Sequence, residues 1–237
     1  MKQTFLRLDR FFTHQECADL IARNNNDLGP LGTLGQPISR HRVADGKWFS
    51  NDDEDLVRRF KVLTSAITGL PISHQESPHL VRYHVGGEYK THFDYFIPGT
   101  EHYESHTRYA GQRLFSTILY LNDNFMGGET DFPNVGFKVK PETGMVYTWR
   151  NVSIRGDLEP LSFHAGLPVT EGVKYILIIW TRERPFIHEG SPEAKVIDAE
   201  IAARKAAEEA AKQPVVPEQP VVAEATNVIT FPSGRQA

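Results

Sequence analysis

From Leu80 to Arg182 the apolar residues come in short runs broken by Gly, Pro and Asn clusters: LVRYHV, KTHFDYF, RLFSTILYL, GFKV, MVYTWR, LSFHAGL and VKYILIIWTR. Short β-prone segments at this spacing, with no helices alternating between them, predict a sandwich or barrel rather than a doubly wound sheet. Upstream the period changes. Residues 4–8 read as a short strand. Thr13, with Glu16 three residues on, has the spacing of a capping box, and Phe12, Cys17, Leu20 and Ile21 give the helix that follows a buried face. A second helix is predicted from Ser50, with Asp53 completing its cap, Leu56, Phe60, Leu63 and Ile67 at helical spacing, and Gly69 at its end. The Gly-, Asn- and Pro-rich stretch 24–46 between the two is expected to be loop and turn. The fold class expected is therefore mainly β with flanking α, a jelly-roll core at 78–184 supported by N-terminal helices at 10–70, in one domain of 1–186.

After Pro185 the pattern weakens. Ser191, Pro192 and Glu193 suit the cap and first turn of a charged, Ala-rich helix filling 187–213, with Glu200/Arg204 and Glu208/Lys212 at i,i+4 spacing and only Val196, Ile197 and Ile201 as an apolar stripe. The stretch 214–237 opens with PVVPEQPVV and is expected to be a Pro-rich linker and disordered tail. This tail is expected to bind a partner or act as a tether.

Composition narrows the classes. A chain of 237 residues, 40% hydrophobic, suits one substantial core with appendages. A formal net charge of −4 gives no electrostatic reason to favour nucleic acid. Cys17 is the only cysteine, which excludes an intrachain disulfide or a cysteine-based zinc site, and it reads as a small apolar helix residue. The N-terminal MKQTFLRLDRFF lacks the apolar core of a signal peptide, and no apolar run approaches the roughly 18 residues of a membrane span. The expectation is a cytoplasmic protein that binds neither membrane nor nucleic acid.

The chemistry is carried by His92-Phe93-Asp94. In an alternating strand His92 and Asp94 project to one face. Two histidines and a carboxylate on one side of a metal, with the opposite side open, form the facial triad of non-haem iron(II) oxygenases. His164, in LSFHAGL, is the candidate third ligand, and Lys174 opens the apolar strand VKYILIIW. A lysine entering a buried strand pays desolvation unless an anion meets it, which points to a bound carboxylate.

These residues stand in segments that resemble the prolyl 4-hydroxylase group of 2-oxoglutarate-dependent dioxygenases: VRYHVGGEYKTHFDYF, RLFSTILYLNDNFMGGETDFP, VKPETGMVYTWRN and FHAGLPVTEGVKYILIIWTRE, across about residues 4–184. The resemblance implies a double-stranded β-helix holding Fe(II) by His92, Asp94 and His164. Lys174, with Tyr83 and Ser116, would bind 2-oxoglutarate. Ser116 stands where the family usually has threonine. Tyr89, Arg113 and Trp180 would surround the substrate, and Arg182 occupies a position where some relatives carry histidine. The implied reaction hydroxylates a prolyl residue of a peptide or protein, consuming O2 and releasing succinate and CO2, with ascorbate as an accessory. No side chain beyond the metal ligands is assigned a catalytic role. The alternative target is a free amino acid or other small molecule, and a non-catalytic binding module is the reading from another class. Gly127-Gly128-Glu129-Thr130 is taken as a structural turn, and His84, His102 and His106 as solvent-facing or loop histidines.

Overall fold

Residues 5–31, 41–50, 54–153 and 155–212 are described by the structure, a computed structural model. The elements are, in chain order, β1 (Phe5–Leu8), α1 (His14–Asn24), β2 (Gly29–Pro30), β3 (Arg42–Val43), β4 (Asp45–Trp48), α2 (Asp55–Thr68), β5 (His79–Tyr83), β6 (Glu88–His92) and α3 (Glu101–Thr107). There follow β7 (Arg113–Tyr120), β8 (Met126–Gly127), β9 (Thr130–Phe132), β10 (Phe137–Val139), β11 (Val146–Arg150), β12 (His164–Gly166), β13 (Val169–Glu171), β14 (Lys174–Arg182) and α4 (Pro192–Lys212). The chain divides into two units, Met1–Ala194 and Lys195–Ala237.

In the first unit a seven-stranded sheet runs β1-β11-β7-β14-β5-β4-β2 and a five-stranded sheet runs β10-β9-β12-β6-β3, with β13 and β8 paired separately. Every pairing is antiparallel. This is the jelly-roll arrangement expected, with the site carried by the smaller sheet.

Alternation along the strands sorts the side chains into two cores. Leu177 and Ile179 of β14, with Leu80 and Leu119, join Phe12, Cys17 and Leu20 of the α1 region and Leu56, Val57 and Phe60 of α2. Ile176, Ile178 and Trp180 turn the other way, with Val81, Tyr83, Ile118 and Phe132, into the space between the sheets. Each fully buried Leu or Phe contributes about 1.5–3 kcal/mol, so the helices fix the position of the larger sheet while its second face remains available for a site.

Thr13 caps α1 as predicted: its hydroxyl accepts from Glu16 N at 3.2 Å and its N–H donates to Glu16 Oε2 at 2.7 Å. These bonds, with Arg59, hold the Glu16 carboxyl down at about 2. Cys17 is fully buried and desolvation pushes its thiol up to about 12, so it packs as an apolar residue. α2 ends at Gly69, whose φ of +71° is the left-handed conformation that glycine adopts without strain. Its start differs from expectation. The helix begins at Asp55, after Glu54 with no side-chain cap, rather than at Ser50, and Asp53 lies outside the described residues.

The stretch 24–46 is also less irregular than expected, since it holds β2, β3 and the start of β4, which extend both sheets. α3 carries His102 and His106, expected to be solvent-facing or loop histidines, with Thr100 accepting from Tyr103 N as its cap. α4 covers the predicted charged helix, with Ala194 N donating to Ser191 Oγ at 3.2 Å. The Pro-rich stretch 214–237 lies outside the described residues. Among the described residues no helix is long and apolar enough to cross a membrane.

Candidate active site

The site forms where β6 and β12 pair, with His164 directly opposite His92. The two imidazole centroids lie 4.3 Å apart. Asp94 does not continue the strand as the alternation suggested: β6 ends at His92 and Asp94 sits in the bend beyond. A straight strand would carry Asp94 two rises, about 7 Å, along the sheet. The bend instead brings its carboxylate between the rings, Oδ1 at 3.5 Å from His92 Nε2 and Oδ2 at 3.7 Å from His164 Nε2.

One donor atom from each residue lies within 4.8 Å of the other two. These separations exceed a hydrogen bond and suit three ligands converging on one ion. Both rings are oriented by main chain: His92 Nδ1 donates to Lys90 O at 2.7 Å and His164 Nδ1 to Ser162 O at 2.8 Å. A carbonyl only accepts, so the proton resides on Nδ1 and the Nε2 lone pairs face the Asp94 carboxylate. Burial by itself would raise Asp94, but His164 and His92 hold it well below the usual carboxylate range. Burial, reinforced by His92, pushes His164 down to about 4. A carboxylate and a neutral imidazole are the forms that bind metal.

The triad faces a cavity lined on its other sides by Arg42, Tyr83, Tyr89, Ile118, Thr130, Lys174, Ile176, Ile178 and Trp180. Lys174, opposite Tyr83 in the β14/β5 ladder, is 3% exposed. Its Nζ donates to Gly128 O at 2.6 Å and lies 5.3 Å from the Tyr83 ring centroid. No ion pair to Lys174 forms among the described residues. Burial pushes its ammonium down to about 8, with Glu129 opposing weakly. A buried cation facing a cavity suits an anion such as the far carboxylate of 2-oxoglutarate.

The GGET turn has positive φ at Gly127 (+71°) and Gly128 (+70°). It also supplies the carbonyl that holds Lys174, so its role is not purely local.

Ser116 lies next to the triad. It is fully buried and does not line the cavity; its hydroxyl donates to Asp94 Oδ2 at 2.5 Å and accepts from Asn151 Nδ2 at 2.9 Å. Its partner in the structure is the Asp94 carboxylate. Tyr89 stacks on His92 at 3.6 Å between centroids, and Trp180 forms part of the opposite wall. Arg113 lies 4.0 Å from the Trp180 ring centroid, with Nε and Nη2 bound to Glu76 at 2.6 and 2.8 Å. His84 is exposed beside Asp45, while His102 and His106 lie on α3, 4.1 Å apart between centroids.

Two residues escaped the sequence reading. Arg42 was assigned to a loop, yet β3 pairs it with Tyr89 and brings it into the cavity wall, where its Nε is a buried donor without a hydrogen-bond partner. The signal available was only two residues of strand. Glu76 is 5% exposed and binds both Arg113 and Arg182, the latter at 2.7 Å. Burial would raise its pKa, but the two guanidinium groups hold it below the ordinary value. A carboxylate just ahead of the apolar run at Leu80 was the available hint.

Residues 78–182 match the family model of the 2OG-Fe(II) oxygenase superfamily. The "Putative prolyl 4-hydroxylase" of Acanthamoeba polyphaga mimivirus is 30% identical over 189 residues, covering 76% of this chain and 74% of that protein. Prolyl 4-hydroxylase subunit alpha-1 of Rattus norvegicus is 32% identical over 146 residues, covering 62% of this chain but only 27% of the subunit. Among solved structures, the viral collagen prolyl hydroxylase of Paramecium Bursaria Chlorella virus-1, a 2OG complex, superimposes with a TM-score of 0.61 at 25% identity, covering 75% of this chain and 95% of that one.

The fold and site thus define a 2-oxoglutarate-dependent dioxygenase that uses Fe(II), 2-oxoglutarate and O2. Within that class the chain belongs to the prolyl 4-hydroxylase family.

Proposed function

We propose that the protein hydroxylates a prolyl residue of a peptide or protein, with His92, Asp94 and His164 holding Fe(II). The observation that carries this reading is the cavity itself, in which the ligand triad, a buried lysine and the rings of Tyr89 and Trp180 share one space. Those rings give a saturated five-membered ring apolar walls. The buried, unpartnered donors Arg42 Nε and Trp180 Nε1 are suited to receive a carbonyl of the substrate backbone.

Iron(II) with 2-oxoglutarate supplies the activation of O2, the oxo-acid leaving as succinate and CO2 while a hydroxyl is placed on the substrate carbon. The chain's own part is positional. Lys174 and the Tyr83 hydroxyl anchor the oxo-acid, Ser116 holds the Asp94 carboxylate in its ligating orientation, and the main chain at Lys90 and Ser162 fixes both histidine tautomers. Tyr89 and Trp180 orient the target C–H bond, with Arg113 packed behind Trp180. The buried walls exclude bulk water from the reacting atoms. No side chain is required to act as a general base.

The test is turnover of proline-containing peptides with Fe(II) and 2-oxoglutarate, comparing the native chain with His92→Ala. The expected result is hydroxyproline by mass spectrometry, with succinate formed in step, both abolished in the variant. Succinate at the uncoupled rate with every peptide, together with hydroxylation of free proline or another small molecule, would transfer the assignment to a metabolite. We also propose that α4 and the Pro-rich stretch serve partner contact or tethering. A chain ending at Ala194 is then expected to keep its turnover, and loss of turnover would remove that idea.

A further inference from the structure

Beyond Trp180 lies a groove of about 580 Å³, within the size of sites that enclose drug-sized ligands, about 300–1,000 Å³. It shares no lining residue with the triad cavity but adjoins it at Trp180, which walls the cavity and is packed by two residues of the groove. Arg113 stacks on Trp180 and lines the groove, and Trp48, 5.9 Å from Trp180 between ring centroids, does the same. The remaining apolar lining comes from Phe96, Tyr109, Phe186 and Ile187. Trp48, its ring stacked on His79 at 3.9 Å between centroids, is 47% exposed.

The charges at the groove floor are committed to one another. Glu76 accepts from both Arg113 and Arg182, and Arg182 also donates to the carbonyls of Gly111 and His106. Arg184 donates to Thr107 O at 3.1 Å. These bonds hold the segment that carries Tyr109 and Ala110 against the sheet, so the groove is formed before any substrate arrives. An ionic ligand would have to compete for these paired groups or for the exposed, hydrated Arg108, His188 and Glu189, whereas an apolar one meets ready surface.

We infer that this groove is a subsite for a bulky apolar side chain, aromatic or large aliphatic, that flanks the hydroxylated residue of a polypeptide substrate. The enzyme then selects its target by neighbour as well as by ring. This rests on the prolyl reading above and sharpens it, because free proline has nothing to place in the groove. A Gly-rich sequence around the target leaves the groove's apolar surface unused.

The experiment uses the full chain with Fe(II) and 2-oxoglutarate and a set of short blocked peptides, each with one proline in a Gly/Ser background. Phe, Leu, Asp or Gly is placed in turn at each neighbouring position. Hydroxylation is read by mass spectrometry and affinity by fluorescence anisotropy of labelled copies. At one position Phe is expected to bind tighter than Gly by roughly tenfold or more, the size set by burying one large side chain. Leu should follow Phe, and Asp should show no gain. The Phe-over-Gly ratio should shrink toward one in Phe186→Ala and in Trp48→Ala, each checked for an unchanged circular dichroism spectrum.

Equal affinity for Phe and Gly at every position overturns the inference, as does a preference for Asp, or a Phe preference that survives both variants. Should no peptide be hydroxylated, the prolyl reading fails, and the affinity ratio still decides the groove.

Discussion

Lys174→Met removes a buried charge and leaves an unbranched chain able to fill the same space. A fall of the Lys174 ammonium from 10.5 to about 8 corresponds to about 3 kcal/mol spent on keeping that charge inside the ligand-free protein. The variant is therefore expected to be more stable than the native chain without ligand, by an amount of that order. The advantage should depend on pH. In the folded chain the proton leaves at about 8, in the unfolded chain only near 10.5, so native stability rises with pH across that window. The benefit of Met should be full below about 8 and vanish toward 10.5.

Binding should show the reverse. 2-Oxoglutarate would lose its buried counter-charge, a break worth about 3–5 kcal/mol or a few hundred-fold or more in affinity. For the native chain, affinity should also fall as pH rises above about 8, since the neutral amine must first take up a proton. Urea unfolding at a series of pH values, with and without 2-oxoglutarate, measures all of this. A Lys174→Met chain that is less stable without ligand and keeps its KM for 2-oxoglutarate would refute the reasoning.

Two further substitutions probe the supports of the site. Ser116→Ala removes the 2.5 Å bond to Asp94 and is expected to weaken divalent-metal binding by roughly 10–100-fold; titration with Co(II) reads it, and unchanged affinity would show that the bond is incidental. Glu76→Gln leaves Arg113 and Arg182 buried without their carboxylate and should cost about 3–5 kcal/mol of stability; a loss under 1 kcal/mol in denaturant unfolding would mean that the backbone carbonyls around Arg182 suffice.

The parts of the fold that sequence could reveal were those with a repeating signal. β14 and β7 announce themselves by long apolar runs, and α1 by a capping box and a helical stripe. The triad was legible only as a set, His92, Asp94 and His164 with Lys174, in segments that resemble the family, since an HxD alone is common by chance. What failed was local geometry that only the folded chain decides. The bend at Asp94 reverses the alternation argument while delivering the same convergence, because His164 comes from a strand that pairs with β6. The family pattern places Ser116 by position alone, while its contact with Asp94 is set by which face of β7 looks toward that carboxylate. β2 and β3 are two residues long, too short for any period, and Arg42 was hidden with them. Glu76 meets its partners across 37 and 106 residues, a separation that no local pattern encodes.

Arg182 and Arg184 hold the 101–111 segment by its carbonyl oxygens, beside the contacts its side chains make. Every amino acid brings the same carbonyl, so this part of the anchorage does not depend on which side chains the segment carries. A substitution in the segment leaves those main-chain bonds in place, whatever it does to side-chain contacts. The arrangement separates part of how the segment is fastened from what it displays.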